Sequence, residues 1–256
     1  MLRRAYEEDR LKINEYLYER PVINLFLIAD IEQYGFENDI QKIYIDEDDA
    51  IHGIVLIYRT NMVIQSYEGR VYQKEVDEMI KEYGITDING EKSIIEKYHF
   101  EGFNSCHNCH YASCEKVDLP ADTSMVEKLG EQDADGIVDV LAQIFPDKPF
   151  RKEMVLETMR GGYYRYYGIK EDGRLVSTAS TSAETSKMAM VGSVGTLKEY
   201  RDKGYARKVV GKLTYDLIEE GKIPCLFYFN PSAARIYLSL GYKECGEYLI
   251  YSMERN

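Results

Sequence analysis

The chain has 256 residues, 45% hydrophobic and 30% charged, with a net charge of -12, which suits a soluble globular protein with a buried core and excludes a disordered one. No apolar run approaches the roughly 20 residues of a membrane-spanning helix; the longest, Val22 to Ala29, stops at Asp30, and Arg3 and Arg4 are followed by acidic residues rather than by the apolar core of a signal peptide. With neither a span nor a signal peptide the expected setting is the cytoplasm, and the acidic balance argues against nucleic-acid and anionic-membrane partners.

The charge is unevenly spread. Residues 1–117 carry 13 Lys+Arg against 23 Asp+Glu, a balance of -10, and residues 118–256 carry 19 against 21, a balance of -2. An acidic half either attracts a cationic substrate or simply keeps the protein soluble. Five cysteines, an odd number, fit reduced thiols.

In chain order, the first half predicts strands at Ile43 to Ile45, Ile51 to Tyr58 and Met62 to Tyr67, a helix Lys74 to Tyr83, a short strand Ile85 to Ile88 and a helix Glu91 to Tyr98. A composition break at Lys116 to Asp122 suggests two domains, 1–117 and 118–256. In the second half Asp133 caps a predicted helix to Ile144, closed by Pro146 and Pro149. A second helix, Lys152 to Arg160, ends at Gly161-Gly162. Strands follow at Tyr163 to Ile169, Arg174 to Ser182 and Met188 to Thr196, the first two joined by the turn Glu171-Asp172-Gly173. Then come a helix from Gly204 to Glu220, a buried strand Ile223 to Phe229, a helix Ser232 to Leu240 and a strand Glu247 to Met253. Both halves read as three strands, helix, strand, helix. The expected class is mixed α/β (α+β), a mostly antiparallel sheet flanked by helices, in two copies with the first degenerate.

The segment Val194-Gly195-Thr196 through Arg201-Asp202-Lys203-Gly204-Tyr205-Ala206 takes a strand into a basic turn and then into a helix that starts at a glycine and a small residue. Backbone N–H groups converge at such a helix start, which suits a diphosphate. Arg201, Lys203, Arg207 and Lys208 add positive charge. Alone, the pattern is also that of an ordinary helix start with solvated cations. It lacks the third glycine of a dinucleotide fingerprint and the Gly-Lys-Ser/Thr of a P-loop. A second stretch adds Asn230 at a strand end, Ala233, Tyr237 and Gly241-Tyr242.

Together the two stretches resemble motifs A and B of the GCN5-related N-acetyltransferase (GNAT) superfamily. Arg201, Gly204 and Ala206 match the first motif; Asn230, Ala233, Tyr237 and Gly241-Tyr242 match the second. The resemblance covers roughly residues 125–253. It implies a mixed sheet whose strands part beside Val194-Gly195-Thr196, with acetyl-coenzyme A as co-substrate and no metal. It also implies that the Val194 N–H polarises the thioester carbonyl, where charge develops, and that Thr196 contacts the pantetheine arm. Residues 201–206 would hold the pyrophosphate, Asn230 would bond the arm, and Tyr237 would protonate the departing thiolate. Among 23 tyrosines, Tyr237 could equally be a plain core residue. The acceptor would be a primary amine of a small molecule or peptide. A non-catalytic acyl-coenzyme A sensing module is the rival reading.

No general base stands out, although Glu184 and Ser193 are candidates. The first half has a single glycine near Glu68-Gly69-Arg70 and is expected not to bind the co-substrate but to shape the acceptor pocket. Cys106-His107-Asn108-Cys109-His110 formally matches a c-type haem attachment and, with Cys114, offers zinc-ligand chemistry. On a strand, however, Cys106 and Cys109 would face opposite ways. The cluster therefore reads as plain thiols. His52 and His99 have no ligand pattern around them.

Overall fold

The computed structural model describes residues 1–162 and 164–253. Tyr163, where the predicted strand Tyr163 to Ile169 was expected to begin, lies outside the described residues. The chain divides into two compact units, Met1–Tyr111 with Cys245–Asn256, and Ala112–Glu244. This partition differs from the expected cut after residue 117: it falls six residues earlier, and the end of the chain joins the first unit.

The first unit opens with β1 (Arg3–Arg4) and two helices that the periodicity did not announce, α1 (Arg10–Tyr18) and α2 (Leu25–Tyr34). The apolar run at Val22 to Ala29 becomes the start of α2, with Leu25, Leu27, Ile28, Ala29 and Ile31 all buried. Next come β2 (Gln41–Glu47), β3 (Ile51–Tyr58), β4 (Asn61–Gln65), α3 (Gln73–Tyr83), β5 (Asp87–Glu91), a single-turn α4 (Lys92–Ile95) and β6 (Ser105–Ser113). The second unit contains β7 (Val126–Leu129), α5 (Ala134–Ile144), α6 (Lys152–Arg160), β8 (Tyr166–Glu171), β9 (Arg174–Ser182), β10 (Met188–Thr196), α7 (Tyr205–Glu219), β11 (Ile223–Tyr228) and α8 (Pro231–Ser239). The last strand, β12, runs over Lys243–Ser252.

In the first unit β1 to β4 pair antiparallel in sequence order. β5 joins β4 in parallel, and β12 lies antiparallel on β5, from Tyr248↔Glu91 to Ser252↔Asp87. Tyr248 and Leu249 are thereby buried, and the Tyr248 hydroxyl hydrogen-bonds Asn89 at 2.8 Å. In the second unit β7, β8, β9 and β10 are antiparallel neighbours, and β11 runs parallel to β10. The β8–β9 hairpin turns on Asp172 and Gly173 at φ 49° and 81°, the positive pair that a right-twisted two-residue loop requires. Residues 175–181 of β9 are buried on both faces, because α5 and α7 both pack on this strand. Ile137, Val140 and Leu141 of α5 and Val209, Val210 and Leu213 of α7 fill the core. Both units therefore share one plan: three antiparallel strands, a helix, and a fourth strand returning parallel to the third.

Candidate functional site

The second unit's β10 carries the irregularity on which the site is built. Its register with β9 passes from Gly192↔Ser180 to Gly195↔Thr178. Ser193 and Val194 thus face the single residue Ala179, which makes a β-bulge. Ser193 adopts φ 51° to form it, a left-handed conformation that a β-carbon disfavours. On the other edge, the pairing of β10 with β11 ends at Val191↔Leu226. The strands part beyond that point, and Ser193 and Val194 have a registered partner on neither side. Backbone groups left this way must be met by solvent or by a ligand.

Hydroxyls of β9 hold the bulge. Ser177 Oγ donates to Gly195 O at 3.0 Å and Ser180 Oγ to Gly192 O at 3.5 Å. Thr196 Oγ1 shares a 2.9 Å hydrogen bond with Ser177 Oγ, so its hydroxyl is turned into the sheet. Gly195 is set by packing: a β-carbon there would lie 2.6 Å from Ile144 Cγ2 of α5.

After β10 the chain makes a 3-10 turn at Lys198–Tyr200, and then Asp202 and Gly204 take φ 64° and 76°. Gly204 O accepts from the Lys208 N–H at 3.1 Å, the first bond of α7. The N–H groups of Tyr205, Ala206 and Arg207 belong to the first turn, where no helix carbonyl reaches them, and they lie at the positive end of the helix dipole. A β-carbon on Gly204 would meet no protein atom within 4 Å, so the space in front of the helix start is open. Arg201 Nε donates to Thr196 O at 3.2 Å, tying loop to strand. Lys203 Nζ lies 3.3 Å from Glu171 and 5.0 Å from the Tyr200 ring centre, and the Tyr205 hydroxyl hydrogen-bonds Glu171. Two of the four cations assigned to the loop from sequence point elsewhere. Arg207 donates to Ser239 Oγ at 3.0 Å, and Lys208 sits 3.4 Å from Asp122.

Asn230 is the N-cap of α8: its Oδ1 accepts from the Ser232 N–H at 2.8 Å, and Pro231 occupies the first helical position. The carboxamide N–H groups are what it can offer to a ligand. Ala233 is half-buried against the core. Tyr237 is buried, with its ring 5.8 Å from that of Tyr228 and 6.0 Å from that of Tyr242. The Tyr242 hydroxyl is bonded to Thr214 at 2.7 Å and the Tyr228 hydroxyl to Glu244. The Tyr237 hydroxyl has no partner among the described residues. Burial pushes it up to about 12, so the phenol stays neutral at any working pH.

Sequence reasoning missed Ser177, Ser180 and Glu171, whose roles depend on partners across strands; the run of hydroxyls in β9 was the available signal. Of the two candidate bases, Ser193 lies in the bulge, whereas Glu184 is bound to Arg165 and Lys222, beside the opposite end of β11. The cysteine cluster is dispersed. Cys106 is exposed and Cys109 buried on the same strand, and Cys114 falls in the second unit, its thiol 3.3 Å from Lys116 O. Among the described residues no group of three or more His, Cys, Asp or Glu could hold a metal ion, and no helix is long and apolar enough to cross a membrane.

A sheet that parts beside a bulge, and leads through a glycine turn into a helix start, is the arrangement expected from the resemblance to the GNAT superfamily. The sequence model of the family described as GNAT acetyltransferase matches residues 166–251. Comparison with curated proteins gives no significant match. Among solved structures, a GNAT-family protein from Novosphingobium aromaticivorans is similar at 20% identity, over 93% of this chain and 99% of its own, with a TM-score of 0.61. A GCN5-related N-acetyltransferase from Sphaerobacter thermophilus follows at 13% identity, 100% and 96% coverage and a TM-score of 0.64. A tandem GNAT protein from the clavulanic acid biosynthesis pathway has 10% identity, 100% and 99% coverage and a TM-score of 0.59. Residues 166–251 thus match the GNAT acetyltransferase family, and the fold of these GNAT structures extends over the whole chain as two fused copies of one mixed α/β plan.

The first copy lacks the features that open the second. Its β3–β4 register, from Ile54↔Gln65 to Tyr58↔Asn61, has no bulge. A β-carbon on Gly90 of β5 would lie 2.7 Å from Ile64 O, so β5 stays tight against β4. Its helix α3 starts at Gln73 with Tyr72, not a glycine, at the N-cap; the nearest turn glycine, Gly69 at φ 69°, lies three residues before that cap.

Proposed function

We propose that the second unit transfers the acetyl group of acetyl-coenzyme A to a primary amine of a small molecule or peptide. The observation that carries the reading is the coincidence, on one strand, of the bulge at Ser193-Val194 with the end of pairing at Val191↔Leu226. It leaves the Val194 N–H with no registered neighbour, as a donor for a carbonyl oxygen on which charge develops.

The remaining residues suit that co-substrate. The open helix start at residues 201–206 offers first-turn N–H groups and the positive helix end to a diphosphate. The Asn230 carboxamide N–H groups suit an amide-bearing arm. Thr196 would contribute through its backbone, since Ser177 engages its hydroxyl. Tyr237 would give its proton to the departing thiolate; its unpartnered, neutral hydroxyl is what that role needs. Among the described residues we place one such site, in the second unit. Five cysteines in the reduced thiol form fit work in the cytoplasm.

The test is acetyl-coenzyme A with a panel of amines, read by thiol release and by mass analysis of the amine. Amine-dependent thiol release with an N-acetylated product is expected. Binding of acetyl-coenzyme A without transfer to any amine would overturn the reading in favour of a sensing module.

A further inference from the structure

Beside its buried stripe, α2 carries Phe26, Asp30 and Tyr34 at four-residue spacing, on one side of the helix. Both ends of that row rest on tyrosines of the first unit's sheet. The Phe26 ring lies 6.2 Å from that of Tyr248 on β12, and the Tyr34 ring 5.0 Å from that of Tyr58 on β3. Between these tyrosines the sheet presents Asn61 of β4, directly opposite Tyr58, and Asn89 of β5. The Tyr248 hydroxyl donates to Asn89 Oδ1 at 2.8 Å and Asn89 Nδ2 to Asn61 Oδ1 at 2.6 Å, so the row shares one face. Phe26 and Tyr34 are about 12 Å apart along the helix; Tyr58 and Tyr248 are about 14 Å apart across four strands. The helix row therefore spans the sheet row, and Asp30, midway along it, comes over the two asparagines.

The Asp30 carboxylate has no partner among the described residues: neither a hydrogen bond nor a cation offsets its burial. It lies close enough to Tyr248 to help push that hydroxyl up. Arg59 sits 5.6 Å from the Tyr58 ring centre but exerts no pull on Asp30. Tyr248 is buried, whereas the other six side chains keep partial contact with solvent, so the space under this flank of α2 is a crevice and not sealed core. A carboxylate so placed is costly until a cation meets it, and aromatic faces attract the same cation. A metal ion is poorly served, because among the described residues no group of three or more His, Cys, Asp or Glu could hold one. An organic ammonium needs one carboxylate, and its carbon chain suits the rings. The balance of -10 over residues 1–117 draws cations to this half of the chain.

We propose that this crevice of the first unit binds an alkylammonium group, with Asp30 as its counter-charge and the rings of Phe26 and Tyr248 beside its carbon chain. The proposal stands apart from acetyl transfer, since every residue named here belongs to the first unit.

The experiment titrates butylammonium chloride into the full chain by calorimetry, in the wild type, Asp30→Asn and Phe26→Leu, at matched ionic strength and with butanol as the neutral control. At about pH 8 Asp30 is ionised and the amine still protonated. Saturable binding is expected in the wild type, at least tenfold weaker in Asp30→Asn and about threefold weaker in Phe26→Leu, with none for butanol. The readout is the binding that Asp30→Asn removes, so an amine held by the second unit does not enter it. A cooperative melt, no lower than that of the wild type, shows that Asp30→Asn is folded. A tripeptide with a central lysine separates the two sources of such a group: tighter butylammonium makes the ligand a small amine, tighter tripeptide a protein lysine, and both keep the site. Equal affinity in wild type and folded Asp30→Asn, butanol binding as tightly as butylammonium, or no saturable binding with Kd below about 10 mM overturns the proposal.

Discussion

Gly204 and Gly221 mark the two ends of α7, with φ 76° and 77°, and a β-carbon at either would meet no protein atom within 4 Å. Alanine at each position therefore carries the same backbone strain, about 1–2 kcal/mol for a left-handed residue with a β-carbon. For a chain of this size that is a fall in Tm of roughly 2–8 °C, and the two variants should melt alike. They should differ in ligand binding. The open space at Gly204 is where a diphosphate would approach the first-turn N–H groups, and a methyl group there would hold it away. Gly204→Ala should weaken acetyl-coenzyme A at least tenfold, about 1.4 kcal/mol, while Gly221→Ala leaves it unchanged. Calorimetric titration and thermal melts of both variants check this. Equal affinity in two equally destabilised variants would refute the placing of the diphosphate at this helix start.

Tyr237→Phe should reduce kcat by about 100-fold or more and leave acetyl-coenzyme A affinity nearly unchanged. A general acid works while protonated, so with Tyr237 pushed up to about 12 the wild-type rate should show no loss near pH 10, where an ordinary phenol ionises; a basic limb at pH 10 would contradict the burial effect. Gly195→Ala places a methyl group against Ile144 and should cost about 1–3 kcal/mol in denaturant melts, with Ile144→Ala in the same chain restoring part of it; an unchanged melt would remove the packing argument. In the first unit, burial pushes Asp30 up to about 7. A carboxyl raised in the folded state binds more protons folded than unfolded between about pH 4 and 7. Stability should therefore fall as pH rises through that window, by at most about 4 kcal/mol. Asp30→Asn should flatten the curve, and an unaltered pH–stability profile would sink the assignment.

The local order of elements in the second unit was legible from the residues. Asp172-Gly173 permits only a tight hairpin turn, Asn230-Pro231 caps and starts a helix, and Gly204 marks the entry to α7. Each works through its own backbone preference or through a neighbour in sequence, so local chemistry was enough. The first unit's α1 and α2 were not legible, because their buried stripes are formed by packing: α1 has weak periodicity, and α2 looked like a plain apolar run. Duplication showed only as a repeated element order, which became a shared plan once the registers β4 with β5 and β10 with β11 were known.

The sequence by itself determined that a glycine turn leads from a strand into a helix near Arg201, and that Asn230 and Tyr237 follow at the family's spacing. Tertiary structure alone decided that Ser193 and Val194 bulge out of register, that pairing with β11 stops at Leu226, and that the closing strand of the chain completes the first unit rather than the second. The reason is one of range. Turns and caps are set by dihedral preferences a few residues long, whereas a register shift, a parted edge and the choice of sheet depend on partners from about a dozen to more than a hundred residues away. No sequence window brings Ser177 to Gly195 or Glu244 to Tyr228; only the folded sheet does.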